Sequence, residues 1–177
     1  MTPSRPLPHD AVAADTHAMK RRSTVPFLAA ACAIAGAAAP APAVAARHHD
    51  RVERAVIHRV NAVRAANGLR GVRPWTALRH AAEEHSRDMA RANFFDHPSS
   101  DGTPFGVRLR RYVGSRFVGE TLAALSGGGM AARVVSMWMN SPPHRAILLE
   151  GRFRRIGVAR HHGGLGTLFT ADFAGSH

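Results

Sequence analysis

A chain of 177 residues, 45% apolar and 20% charged, fits one ordinary domain with a segment to spare and excludes two large domains. Twenty-four Lys and Arg against twelve Asp and Glu give +12, and the single cysteine, Cys32, excludes an internal disulfide framework and a multi-cysteine zinc ribbon. Apolar residues recur at helical or strand spacing past the first third, which excludes disorder throughout.

The first third reads as an address. Met19-Lys20-Arg21-Arg22 precedes an uncharged, alanine-dominated stretch to Ala46, the pattern of a basic n-region and apolar h-region of a cleavable secretory signal. Met19 is the expected true start, with residues 1–18 a long n-region or the product of an upstream start codon. Ala41-Pro42-Ala43 and Ala43-Val44-Ala45 offer cleavage sites, so the signal region spans 1–46 and the mature domain 47–177. The apolar run before Pro40 is about 15 residues, short of the roughly 20 that span a bilayer, so cleavage is expected over anchoring. Ser23-Thr24 after the arginine pair argues against a twin-arginine signal, and Cys32 would cut the h-region in half as a lipid attachment site. A secreted or periplasmic protein follows. Its mature part carries 20 Arg against 10 acids and has no cysteine, so its core alone must hold it together.

From Asp50 to Asn67, Val52, Val56, Val60 and Val63 recur every three or four residues, which predicts an amphipathic helix closed by Gly68 as C′ residue. Thr76 is the expected N-cap of a second helix to about Asn93, with the stripe Leu78, Ala81, Ala82, His85 and Met89. Asp96 to Pro104 has the turn chemistry of a long loop, and Phe105 to Tyr112 forms one or two helical turns. Gly127-Gly128-Gly129 breaks the chain before a helix from Met130 to Asn140, with Met130, Val134, Met137 and Trp138 inward. Ser141 caps a fresh helix with Pro142 in its first position. The tail changes period: Ile156 and Val158 alternate, glycines near Gly163-Gly164 turn, and Thr167 to Phe173 alternate in a closing strand. Helices first and a hairpin last predict an α+β domain with helices packed on a sheet.

Twelve histidines invite metal hypotheses, and several are decoys. His80-Ala-Ala-Glu83-Glu84-His85 misses the inverted zincin pattern by one residue; His80 and Glu84 read as an i, i+4 surface pair. His48-His49 and His161-His162 read as solvated polar residues. No nucleophile elbow, phosphate loop or dinucleotide fingerprint occurs.

A scattered set is more informative: Phe94-Phe95-Asp96-His97, Val118-Gly119-Glu120-Thr121, Trp138 through Arg145, Arg155-Ile156-Gly157-Val158 and Phe169 through Ala174. The order and intervals resemble the CAP superfamily of cysteine-rich secretory proteins, venom antigens and pathogenesis-related proteins (the SCP domain), in its cysteine-free bacterial branch. The resemblance covers residues 52–174 and implies a three-layer α-β-α sandwich with a central cleft. It also implies a pair of histidines, His97 and His144, able to hold a divalent metal, commonly zinc, with a glutamate, Glu120, facing the same cleft; Glu120 is the candidate catalytic residue. Ser141 stands where relatives carry a second glutamate and Thr121 where they carry Asn, so three of four cleft positions are kept; Ser141, Thr121 and Arg145 line or support the cleft.

The residues themselves are compatible with this. In the first turn after Ser141, His144 meets the positive end of a helix dipole, which favours the neutral imidazole a metal needs. Glu120 could deprotonate a metal-bound water, or His144 and Glu120 could simply bond each other with no metal present. A ligand-binding cleft is therefore the leading expectation. A metal-assisted hydrolase acting on peptides or cell-wall material is one alternative, and a lipid- or sterol-binding module, which needs an apolar groove beside the cleft, is another.

The arginine runs at Arg108, Arg110, Arg111, Arg116 and at Arg152, Arg154, Arg155 suit bidentate contact with phosphate or carboxylate and weak attraction to anionic surfaces. Nucleic acid is not an expected partner, because the aromatics sit in apolar stripes and not between the arginines. A monomer is expected.

Overall fold

The computed structural model describes residues 49–176, so Met19, Cys32 and the expected cleavage sites lie outside the described residues. The first helix, α1 (Arg51–Ala66), starts at a reciprocal cap that the valine period did not reveal. Glu53 N–H donates to Asp50 Oδ1 at 2.8 Å and Asp50 N–H donates to Glu53 Oε2 at 2.9 Å. Gly68 follows at φ +69°, the left-handed C′ position expected of it.

A two-residue strand, β1 (Arg73–Pro74), leads into α2 (Thr76–Ala92). The cap of α2 falls one residue earlier than expected, on Trp75, whose extended backbone enters the helix without a side-chain cap bond. The predicted stripe of Leu78, Ala81, Ala82, His85 and Met89 is fully buried. Asn93 ends the helix at φ 52°. A short helix, α3 (Phe105–Arg110), and a strand, β2 (Val118–Leu125), come next. They are followed by α4 (Met130–Asn140), α5 (Pro142–Leu148), β3 (Phe153–Gly163) and β4 (Gly166–Gly175).

The sheet order is β1-β3-β4-β2, antiparallel except where β1 runs parallel to β3. β4 is central and buried from Thr167 to Gly175. Its odd residues Phe169, Ala171 and Phe173 join Val56 and Val60 of α1 and Val134 and Trp138 of α4 in the main core. Its even residues Leu168 and Ala174 face α2 and α3 through Met89, Leu78 and Leu109. Helices thus cover both faces of one sheet, the α-β-α sandwich of the α+β class that the sequence implied.

Two close approaches fix this packing. Trp138 is fully buried and its indole N–H donates to the Leu122 carbonyl at 2.8 Å, tying α4 to β2. Gly157 lets α2 lie directly on β3: a Cβ there would fall 2.1 Å from the Leu78 carbonyl carbon.

Some expectations need correction. Met137 is 44% exposed and Val135 is buried instead, because consecutive helical residues lie about 100° apart and Trp138 defines the inward direction. His49 is not solvated; it is buried, and its Nε2 accepts the Val158 N–H at 3.1 Å. His161 and His162 are exposed, as expected. No ion pair joins His80 to Glu84 among the described residues, and Glu84 takes the Tyr112 hydroxyl.

Candidate functional site

The site is built where the loop after α2 meets α3, β2 and α5. His85 of α2 anchors that loop: it is fully buried, and its Nε2–H donates to the Asp96 carbonyl at 2.9 Å. That bond fixes the tautomer and leaves a buried Nδ1 lone pair without a donor. Burial first, and the nearby Arg108 charge, keep His85 below the ordinary imidazole pKa against the pull of Glu120. His97 follows, its backbone N–H held by Asp96 Oδ1 at 2.7 Å.

Glu120 is the hub. Side chains alternate along β2, so Glu120 points to the α2 and α3 face while Thr121, also buried, points to the opposite one. His97 Nδ1–H donates to Glu120 Oε1 at 2.9 Å, and Arg108 Nη2–H donates to Glu120 Oε2. Arg108 Nη1 also reaches the His97 carbonyl and Ser99 Oγ, both at 3.1 Å. One guanidinium therefore holds the carboxylate and the loop that presents the histidine.

Burial alone would raise the Glu120 pKa; the His97 hydrogen bond and the Arg108 charge outweigh it and hold the carboxyl below its usual range. The same hydrogen bond raises His97 in spite of partial burial. His144 is lowered, by burial first and by the His97 charge second. Its ring centroid lies 6.4 Å from that of His97. It lies in the first turn of α5, which Ser141 precedes with extended backbone and Pro142 opens, although no Ser141 side-chain cap bond forms. Arg145 turns away, its Nε donating to the Met139 carbonyl at 2.7 Å.

The structure therefore brings His97, Glu120 and His144 together, with Glu120 bonded to His97 and not to His144. Two contributors escaped the sequence reading. Arg108, grouped there with surface arginines, is buried and paired with a carboxylate. Asp172, which carried no role, is the Cα partner of Glu120 on β4 and is fully buried. Neither Asp172 oxygen meets a donor among the described residues. Burial first, then the Glu120 charge, push Asp172 well above the usual carboxylate range. The only sequence signal was an acid in the middle of an otherwise apolar strand.

A cavity of about 330 Å³ adjoins this cluster, bounded by His85, Asp88, Arg91, Ser99, Arg108 and Arg111 among others. Its walls are charged and hydroxylic.

The CAP family, described as the cysteine-rich secretory protein family, matches residues 57–173, more than half of the chain. The chain belongs to the CAP family. This CAP chain is 33% identical over 124 residues to the uncharacterized protein YkwD of Bacillus subtilis, covering 70% of this chain and 47% of that one. It is 31% identical over 107 residues to the uncharacterized membrane protein YlbC of the same organism, covering 60% of this chain and 30% of that one. The chain thus spans less than half the length of these two relatives. An extracellular SCP-domain protein from Bacillus anthracis superposes with a TM-score of 0.62 at 30% identity, over 71% of this chain and 40% of that one. An outer surface protein from Borrelia burgdorferi shares the fold, with a TM-score of 0.66 at 22% identity over 74% of this chain and 97% of that one. No helix among the described residues is long and apolar enough to cross a membrane. The CAP domain carries no cysteine among its described residues, in keeping with a cysteine-free bacterial branch.

Proposed function

We propose that this CAP protein is an exported binding module that takes a small ligand around His97, Glu120 and His144. The observation that carries this reading is the state of Glu120. Both its oxygens are engaged, by His97 and Arg108, and its pKa is held down, whereas an efficient general base works near the ambient pH. Glu120 is better suited to orient His97 than to take a proton from water. That weighs against the hydrolase. The mainly polar walls of the adjoining cavity suit a polar ligand better than a sterol.

The donor set fits a divalent metal in part. A carboxylate on His97 Nδ1 is the partner that typically orients a metal-binding imidazole, and the lowered His144 stays neutral and able to donate. His97 and His144 would hold the ion, with the remaining positions left to the ligand or solvent; among the described residues no group of three or more metal-ligating side chains occurs. When bound, such an ion supplies Lewis acidity toward a carbonyl or phosphoryl oxygen.

Export is part of the proposal, supported by the signal-like residues 19–46 and by the extracellular and outer-surface character of structural neighbours.

Calorimetric zinc titration of the protein beside His97→Ala and His144→Ala tests the site. One saturable site lost in both variants is expected. Zinc-dependent hydrolysis of a peptide or cell-wall fragment that Glu120→Gln abolishes would overturn the binding-module reading.

A further inference from the structure

A second cavity, of about 520 Å³, lies near the β1 edge of the sheet, whereas Glu120 lies on the opposite edge strand, β2. Arg70, Arg73, Arg154, Arg155 and Trp75 form most of its wall, and no acidic side chain among the described residues lines it. Neighbouring Glu150 is already engaged, its carboxylate taking the backbone N–H, Nε and Nη2 of Arg152.

Two of these arginines are held side by side. Arg73 and Arg155 are Cα partners on the parallel strands β1 and β3, and like charges facing each other across a ladder repel. Behind them, fully buried Arg64 spends its guanidinium on four carbonyls, of Arg70, Leu148, Glu150 and Phe153, at 2.6 to 3.4 Å. These bonds pin both chain segments that carry the cavity arginines. Burial first, and the Arg154 charge second, press Arg64 below its ordinary pKa. Trp75 is fixed by its backbone N–H to the Ile156 carbonyl at 2.8 Å, and the Arg155 guanidinium carbon stands 6.0 Å from its ring centroid.

We infer that this cavity binds a small organic phosphate, its phosphate between Arg73 and Arg155 and its organic part against Trp75. Guanidinium forks match phosphate oxygens two at a time, and a dianion relieves the repulsion between paired arginines. The volume lies in the range of small-molecule sites and exceeds what one inorganic ion fills. The phosphate ester could belong to a soluble molecule or to a lipid headgroup.

Two probes separate these sources: phenyl phosphate, followed by calorimetry, and phosphatidic acid vesicles, followed by co-sedimentation. Saturable binding of either probe, weakened about tenfold or more in Arg73→Gln/Arg155→Gln and unchanged in Arg110→Gln/Arg116→Gln, supports the site and names the source. Phenyl phosphate is expected to outcompete inorganic phosphate. Absence of binding to both probes, equal weakening in the two double variants, or equal affinity for phenyl and inorganic phosphate overturns it. All four substituted arginines are exposed, so folding is not at risk, and unchanged melting temperatures check this.

Discussion

Asp172 faces Glu120 directly across the β2–β4 ladder, and the two buried carboxyl groups divide their roles by what else reaches them. Arg108 and His97 claim Glu120 and hold its pKa down; nothing comparable reaches Asp172, whose pKa burial and the Glu120 charge push up.

This division has a sign in pH. The folded-state pKa of Asp172 lies above 3.8, so its contribution to stability is full below that value and is lost as pH rises toward the raised one. The loss is up to about 1.4 kcal/mol per pH unit. Glu120 acts in a separate window: its lowered pKa contributes stability above 4.5 that is lost as pH falls through the folded value. Asp172→Asn keeps the shape and a donor toward Glu120 while removing the titration. Melting temperatures of the two proteins should converge near about pH 4 and diverge in favour of the variant near about pH 8. Parallel curves would mean that Asp172 is ionised in the fold.

The Arg108–Glu120 pair has side-chain exposures of 3% and 0%, so breaking it from one side strands a buried charge. Arg108→Ala should cost about 3 to 5 kcal/mol in urea unfolding. It also frees the loop carrying His97, which rests on Arg108 through its carbonyl and through Ser99. A loss under about 1 kcal/mol would place the pair on a solvated surface.

Glu120→Gln tests the same hub from the other side. His97 is raised chiefly by its hydrogen bond to Glu120, so its imidazole should titrate lower in the variant, back toward the ordinary value. Histidine NMR signals followed against pH read this directly. His144 feels the His97 charge and should move in the opposite direction, upward, because a less protonated His97 repels it less. An unmoved His97 would refute the pairing.

Much of this was legible beforehand, for identifiable reasons. Residues that obey a helical period announced α1, α2 and α4, and the buried stripe ending at Met89 was read residue by residue. β2 was not announced, because burial on both faces erases the alternation that marks a strand. His97, Glu120 and His144 could be picked out only through the family resemblance that the ordered motifs carry. Their wiring could not, because Arg108 lies twelve residues from Glu120 and looked like one more member of a basic run. Gly157 stood inside one of the informative motifs, but its packing role was illegible, since close helix approach depends on what lies across the sheet. Gly157→Ala should therefore destabilise beyond the roughly 1 to 3 kcal/mol usual for overpacking, because backbone and not a side-chain tip blocks the new methyl. Trp138→Ala should cost about 3 to 5 kcal/mol and leaves the Leu122 carbonyl without its partner.

Zinc binding, if His97 and His144 hold the ion, should depend on pH through one of them more than the other. Glu120 raises His97, so a proton competes with metal there at a higher pH than in an isolated imidazole. His144 is lowered and has already lost its proton over the same range. Affinity should thus fall about tenfold per pH unit below the raised His97 value, with close to one proton released per ion bound. In Glu120→Gln the onset of that fall should shift to lower pH, although the ring loses the carboxylate that orients it and plateau affinity should drop about 10- to 100-fold. Calorimetry in buffers of different ionisation enthalpy counts the released protons. Release of close to two protons at neutral pH would mean that His144 is protonated in the free protein, contrary to the burial that lowers it.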